Sequence, residues 1–408
     1  MLETVVGRLR QLDPSIGFRI FSYYPEDDRA LCREDPAIRI HNSTPLALVA
    51  WMLPGALLFG VLRFLFGKGV FALAPSAIRD LGRSEALVDL AGVAFIDGRE
   101  KFLPFNLLTL APAWLLGVPV VKMPQAVGPF RKPINRLAAR WMLPRCRMVW
   151  ARGGGTRRHL EESGFPGVRF RQGDDIAFNH SDAYSLTDEG GEALDRSLGD
   201  LDRVKATHDG RGIVGICPSS VVAVQSRKAG GNYEQVLTDL CVDLTRSGFA
   251  VVLFPNATRA AAGDAERNND LPVIRRVRDA ARDAGSPVAM AFDLDMNTAQ
   301  IKHVIRRMDA VLVSRFHAMV GALALQVPPA VLGWSHKYAE VMARFGLEHN
   351  VMDYKALSKE ELQARVLGVF EDREAIRLAI AAGLPEVKEQ ADLPVRSLLT
   401  PSLGADLA

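Results

Sequence analysis

The stretch DAVLVSRFHAMVGALALQVPPAVLGWSHK, residues 309–337, sets a strand, a charged turn, a helix and a second strand one after another with no spare residues. Asp309 to Val313 is a short apolar run suited to a buried parallel strand, and His317 to Gln326 reads as a helix with Ala, Val and Leu on most faces. Ser314, Arg315, Phe316 and His317 therefore fall where open α/β sheets place ligands, at the carboxyl end of a strand and the amino end of the next helix. Unpaired N–H groups and the helix dipole favour an anion there. Ser314 can cap the helix, Arg315 can grip a carboxylate or phosphate through two parallel hydrogen bonds, and His317 can move a proton near neutral pH. Each also has an ordinary structural use: a cap, a pairing with a nearby carboxylate, a satisfied and partly buried imidazole.

Outward from this stretch the same alternation repeats. Gly212 to Cys217, Ala250 to Phe254 and Val288 to Phe292 read as strands, and Tyr233 to Ser247, Leu271 to Ala284 and Thr298 to Met308 as helices. The polar turns Pro218-Ser219-Ser220 and Pro255-Asn256-Ala257-Thr258 leave the same sheet edge as Ser314, so the three turns can line one cleft. From Ser358 to about Gln390 the chain reads as charged helix. Residues 179–210 are polar and acidic and read as a linker, with a domain boundary near residue 205. The expected organisation is an N-terminal α/β domain with linker over 1–205, a second α/β domain over 206–370, and a helix and tail over 371–408.

The chain has 408 residues, too many for one ordinary core, and two domains are the natural expectation. A formal net charge of +3, with no dense Lys/Arg stripe carrying interleaved aromatics, argues against nucleic acid as a partner. Cys32, Cys146, Cys217 and Cys241 lack metal-type spacing and read as reduced cytosolic thiols. The start, Met-Leu-Glu-Thr, has no basic segment followed by an apolar core, so a cytoplasmic protein is expected.

In the N-terminal half, residues 2–12 read as an amphipathic helix and Gly17 to Tyr23 as a β-rich run. A Rossmann-like domain opens instead on a strand and a glycine-rich turn. LALVAWMLPGALLFGVL, residues 46–62, is the most hydrophobic segment and is interrupted by Pro54. It reads as a spanning helix, a buried core helix or a segment lying on the membrane surface. The surface reading makes the protein peripheral at the inner face of the membrane. Val118 to Met123 is a strand ending in a turn where Gln125 can read a hydroxyl or carboxylate and Gly128 permits close backbone approach. Met148 to Arg152 is a strand ending in arginine, followed by three glycines and a helix opened by Thr156. Asp175 precedes Ile176-Ala177-Phe178 and suits either a functional carboxylate or an Asx-turn.

Taken together these motifs resemble the polysaccharide pyruvyl transferase family. Ser314-Arg315-Phe316-His317, a small-residue helix, Val327-Pro328, an apolar strand and Lys337 are similar to its C-terminal signature. Gln125 before Gly128-Pro129-Phe130, Arg152 after Ala151, and Asp175 are similar to its N-terminal motifs. Gly153 stands where the family has an acidic residue. The family's opening Gly/Asn-rich turn has no counterpart, so the chain either begins late or has lost that half of the site. The glycine run before the Gln125 strand is reduced to Gly92 and Gly98, with Asp97, Arg99 and Glu100 added, which implies a different acceptor sugar. The family's arginine and histidine after the first two strands of the second domain have no clear match.

The resemblance implies an α/β architecture of the GT-B kind: two Rossmann-like domains facing each other across a cleft, with the C-terminal helix crossing back to the first. It implies transfer of an enolpyruvyl unit from phosphoenolpyruvate to a sugar of a cell-envelope polysaccharide or a lipid-linked precursor, forming a pyruvate ketal. Arg315 and Arg152, one from each domain, would hold the donor's two anions. His317 would be the proton donor or the phosphate partner, and Lys337 would stabilise departing phosphate. No cofactor or metal is expected beyond the phosphoenolpyruvate donor. Two other readings stay open: a nucleotide-sugar glycosyltransferase of the same architecture, and a non-catalytic descendant that binds a glycan or a membrane.

Overall fold

The computed structural model describes residues 1–31, 35–181, 191–258, 268–333, 335, 337–356 and 358–399. Cys32 and the acidic run at 188–190 lie outside the described residues. The chain divides into two compact units, one of residues 1–176 with 389–408 and one of residues 177–388.

The first unit opens with α1 (Leu2–Leu12), which buries Val5, Val6 and Leu9. Next come β1 (Phe18–Ser22), α2 (Pro25–Leu31), β2 (Ile38–Asn42), the short α3 (Pro45–Ala47), a π-helical turn (Leu48–Met52), α4 (Leu53–Phe66) and α5 (Ser76–Arg83). Then β3 (Leu87–Asp89), β4 (Val93–Ala94), α6 (Leu103–Leu115), β5 (Val120–Val127), α7 (Pro133–Met142), β6 (Met148–Arg152), α8 (Gly153–Ser163) and β7 (Phe170–Gly173) complete the alternation. A parallel sheet runs β3-β5-β6-β7, with β4 also on β5. A first strand is therefore present. β1 pairs only with β2, in a separate parallel sheet, and the Ser22-Tyr23-Tyr24-Pro25 turn after it has no glycine. Between this pair and β3 opens a cavity of about 1640 Å³ lined by Arg19, Phe21, Arg39, Arg79, Asp80 and Asp89, among others.

Pro54 does not interrupt the 46–62 segment. It sits at the start of α4, directly after the π-helical turn, so the wider turn absorbs the hydrogen bond that proline cannot donate.

The second unit contains α9 (Gly191–Thr207), β8 (Gly212–Cys217), α10 (Ser220–Lys228), α11 (Tyr233–Arg246), β9 (Phe249–Leu253), α12 (Leu271–Asp283) and β10 (Met290–Ala291). It continues with α13 (Thr298–Ile305), β11 (Ala310–Val313), α14 (Phe316–Ala324), β12 (Pro329–Gly333), α15 (Lys337–Ala343), β13 (Val351–Asp353), α16 (Lys359–Glu371) and most of α17 (Arg373–Arg396). Its six strands are all parallel in the order β10-β9-β8-β11-β12-β13, the doubly wound order of a Rossmann sheet.

The 179–210 stretch is not simply a linker. Leu194, Leu198 and Leu201 bury one face of α9, so acidic surface residues hid a helical stripe. The division at 176/177 accordingly falls earlier than residue 205. The last helix runs beyond Gln390 to Arg396, and its final residues belong to the first unit. There Asp392 accepts from Arg8 of α1 through both oxygens, at 2.7 Å from Nε and 2.8 Å from Nη2.

Candidate functional site

β8 and β11 are neighbours in the second unit, and the strand order reverses between them, so the turns after them occupy the topological switch point. These turns are tied together by one buried carboxylate. Asp270, fully buried ahead of α12, accepts from the backbone N–H of Ser220 (2.9 Å), Asn256 (3.3 Å) and Ala257 (2.9 Å). It thus links the ends of β8, β9 and β11, because Arg315 is its fourth partner. Arg315 donates from Nε to both Asp270 oxygens at 3.0 Å and from Nη2 to Asp270 and to Ser220 Oγ at 2.9 Å.

Arg315 is therefore not an open fork. Its Nε edge is committed to Asp270, and Nη1 is the nitrogen that no described residue engages. Burial is the largest influence on its pKa and works against the charge. The charge and hydrogen bonds of Asp270 outweigh it, so the guanidinium titrates above its ordinary range.

Ser314 does not cap α14. Arg315 occupies the cap position without a side-chain cap bond, and Ser314 lies one residue too early to reach the first turn. Its hydroxyl accepts instead from Tyr233 Oη at 2.9 Å, and Tyr233 Oη accepts from Ser219 N–H at 3.1 Å. Burial pushes the Tyr233 phenol up, so it remains a neutral donor. Tyr338 Oη donates to the Ser314 carbonyl at 3.3 Å.

His317, exposed in the first turn of α14, packs edge-on against Phe316 with ring centroids 5.5 Å apart. Lys337 opens α15 and holds its ammonium 4.5 Å from the Phe316 ring centroid. Ser314, Arg315, His317 and Lys337 are thus gathered around Phe316 and the amino end of α14. The first main-chain bond of that helix runs from Met319 N to Arg315 O, so the N–H groups of residues 316–318 point out of its end. A cationic side chain, an imidazole and a helix N-terminus together make a surface suited to an anion that exchanges a proton.

The expected site residues of the first unit are arranged differently. Arg152, at the end of β6, is buried and donates from Nη1 to Asp175 Oδ2 at 2.9 Å, so two expected ligands are partners of each other. Gln125 lies within β5 rather than in a turn, because the strand continues to Val127 between neighbours on both sides. A register shift between Lys122 and Gln125 accommodates Pro124. Gln125 is fully buried, and its Oε1 has no partner among the described residues. Gly128 does permit close approach, but to protein: at φ 79° a Cβ there would stand 2.7 Å from the His159 Cβ. Thr156 does not open α8, which starts at Gly153; its Oγ1 accepts from Val127 N at 3.4 Å.

Asp270 and Tyr233 were not singled out from sequence, and Ser220 only as part of a turn able to line the cleft. The signal for Asp270 was Asn268-Asn269-Asp270 immediately before Leu271-Pro272, a helix start with a carboxylate ahead of a proline. The pair of buried Lys122 and half-buried Asp89 was also missed. Burial is the largest influence on Asp89 and raises its pKa, yet Lys122 brings it below the usual range. Among the described residues, no group of three or more His, Cys, Asp or Glu is placed to hold a metal ion.

The sequence profile of the polysaccharide pyruvyl transferase family matches residues 1–336. The chain belongs to that family. A search of curated protein sequences returns no match. Among solved structures, the fold is similar to UDP-GlcNAc 2-epimerase from Neisseria meningitidis bound to UDP-GlcNAc, with a TM-score of 0.55 at 11% identity, covering 98% of this chain and 95% of that one. It is also similar to HepE of Anabaena in complex with UDP, with a TM-score of 0.54 at 11% identity, covering 97% and 94%. At this identity the likeness is one of fold, and it makes this polysaccharide pyruvyl transferase family member GT-B-like, with two Rossmann-like units.

Proposed function

We propose that this enzyme transfers an enolpyruvyl unit from phosphoenolpyruvate to a sugar of a cell-envelope polysaccharide, or of its lipid-linked precursor, and closes it to a pyruvate ketal. The observation that carries the reading is the gathering of Arg315, His317 and Lys337 at the switch point of the second unit, in a chain of this family.

Phosphoenolpyruvate brings a carboxylate and a phosphate. In this reading Arg315 Nη1, the α14 N-terminus and the Lys337 ammonium receive those anions. The Asp270 bridge holds the Arg315 plane fixed, and a rigid cation loses less freedom on binding than a mobile one. Ketal formation adds a proton to the methylene carbon while one sugar hydroxyl bonds to the neighbouring carbon. A second hydroxyl then bonds to that carbon as its bond to the phosphate oxygen breaks; of the two protons the hydroxyls lose, one replaces that given to the methylene carbon and the other leaves with phosphate. His317 is suited to deliver the proton or to hold the phosphate. Arg152, Asp175, Gln125 and Gly128 serve the first unit mainly through their contacts with each other and with the protein.

The UDP in the similar structures makes nucleotide-sugar transfer the competing reading. The discriminating experiment incubates the protein and a glycan acceptor separately with phosphoenolpyruvate and with UDP-sugars. Acceptor-dependent release of inorganic phosphate, with a pyruvate-sized mass gain on the glycan, supports the proposal. Release of UDP instead refutes it.

A further inference from the structure

The apolar segment Pro45–Phe66 of the first unit is docked along one side only. Leu48, Met52 and Ala56, spaced four residues apart, are buried. Gly60 continues the stripe and lies so close to α6 that a Cβ would stand 2.4 Å from the Leu115 carbonyl oxygen. Arg63 donates from Nη1 to the Leu116 carbonyl at 2.8 Å. The helix is therefore fixed to the body of the unit from Leu48 to Arg63, about 22 Å of its length.

Its other side is just as apolar and uncovered. Leu57, Leu58, Val61, Phe64, Leu65 and Phe66 are exposed, Phe64 at 90% and Phe66 at 71%. A helix on the surface of a soluble protein carries polar residues on that side, yet no charged residue occurs from Pro45 to Leu62. The patch also extends beyond α4. On α7, Ile134, Leu137 and Trp141 form an exposed stripe at helical spacing. α6 bridges the two helices: Leu115 meets Gly60, and Trp114 meets Trp141 edge-on with centroids 5.9 Å apart.

The charge of this face is predominantly positive, with Asp97 and Glu100 meeting Arg131 and Lys132 at the start of α7. α4, α6 and α7 contain no Asp or Glu, and neither do the longer stretches 36–79 and 101–160. Lys68, Arg131, Arg136, Arg140 and Arg145 are exposed on or beside them. The Arg145 guanidinium lies 4.1 Å from the Trp141 ring centroid, a basic group beside a half-exposed aromatic.

We infer that this α4/α7 face of the first unit docks onto the surface of a phospholipid bilayer bearing anionic headgroups, with α4 lying in the boundary between headgroups and acyl chains. Segment 45–66 is long and apolar enough to cross a membrane. Spanning would drag the docked α6 and its neighbours into hydrocarbon, because the buried stripe ties α4 to them. A second copy of the chain is a poor occupant, since a twofold contact would bring two predominantly basic faces together. The inference stands independently of the proposed reaction, although a lipid-linked acceptor would be met at such a surface.

The test is flotation of the full chain with phosphatidylcholine vesicles, with and without phosphatidylglycerol, beside the variant Phe64→Gln/Phe66→Gln/Leu137→Gln. All three side chains are exposed, so the variant is expected to keep the wild-type Tm. The wild type should float with phosphatidylglycerol vesicles, less so at high salt, and the variant should bind at least tenfold more weakly. Equal binding by the folded variant, or no binding by the wild type, would overturn the inference. So would wild-type protein from membranes that resists alkaline carbonate, which would mean a spanning helix. A dimer dispersed by the triple substitution, without vesicle binding, would assign the face to a second copy.

Discussion

Arg315 and Asp270 form a fixed pair, with Arg315 Nε donating to both carboxylate oxygens at 3.0 Å. The pair joins the first turn of the switch-point helix to the ends of β8 and β9, so Arg315 is at once the architecture of the site and its expected cation. Removing either member leaves a buried charge uncompensated, which costs roughly 3–5 kcal/mol. Arg315→Ala and Asp270→Asn should each lower stability by about that amount in urea unfolding. The double variant Arg315→Met/Asp270→Asn should recover part of the loss, because the amide oxygen still accepts from the backbone N–H groups that Asp270 holds. Single variants as stable as the wild type would mean that the pair is solvated and that Arg315 is free to serve a ligand alone.

His317 is exposed in the first turn of α14 and packs on the Phe316 ring, so its replacement probes chemistry at the surface of the site. If it delivers the proton, His317→Ala should reduce kcat by about 10²–10⁴ with little change in phosphoenolpyruvate affinity. Comparable losses in kcat and affinity would make it a ligand contact instead.

Asp392 and Arg8 tie the end of α17 to α1. The hydrogen bond from Arg8 is the chief reason the Asp392 carboxyl titrates below its ordinary value of 3.8. A carboxylate depressed in the folded state stabilises fully above its unfolded pKa, and that contribution disappears as pH falls through the folded value. Asp392→Asn should therefore cost about 1.5–3 kcal/mol at neutral pH. Its deficit should close below about pH 4. A deficit independent of pH would show that shape rather than charge holds the contact.

Burial pushes the Cys146 thiol up to about 11 and Cys241 up to about 12, and it drives Cys217 well above the ordinary range. In a Cys32→Ser variant, all three remaining thiols should react with Ellman's reagent only on unfolding. Fast modification of the native protein would indicate an open route to one of them.

The second unit was legible because its parallel strands are continuous apolar runs and its helices carry their own start signals. Asn297 and Gln300 form a reciprocal capping box, and Ser358 caps the helix that follows it. Ser219 also caps a helix, α10, where the Pro218-Ser219-Ser220 run reads as a polar turn. What sequence could not supply was pairing across the fold. Asp270 and Arg315 are 45 residues apart, and Arg152 and Asp175 are 23, so each reads alone as a free charge. Pairing turned two apparent ligands into partners and exposed Asp270 as the residue that organises the switch point. The first unit was harder because strand-to-turn boundaries there depend on neighbours. Gln125 reads as a turn residue after Pro124, and only the flanking strands keep β5 going to Val127. The 45–66 helix was ambiguous for a related reason: its composition is uniform, and only packing shows which side is covered.

In the proposed reaction the switch-point turn of the second unit receives phosphoenolpyruvate. Calorimetric titration of the full chain with phosphoenolpyruvate, beside UDP-sugars and the variant His317→Ala/Lys337→Ala, tests it most directly. Saturable binding of phosphoenolpyruvate that is weakened at least tenfold in the folded variant, with no comparable binding of UDP-sugars, is the predicted result. Binding of UDP-sugars in preference, or phosphoenolpyruvate binding indifferent to the double substitution, would contradict it.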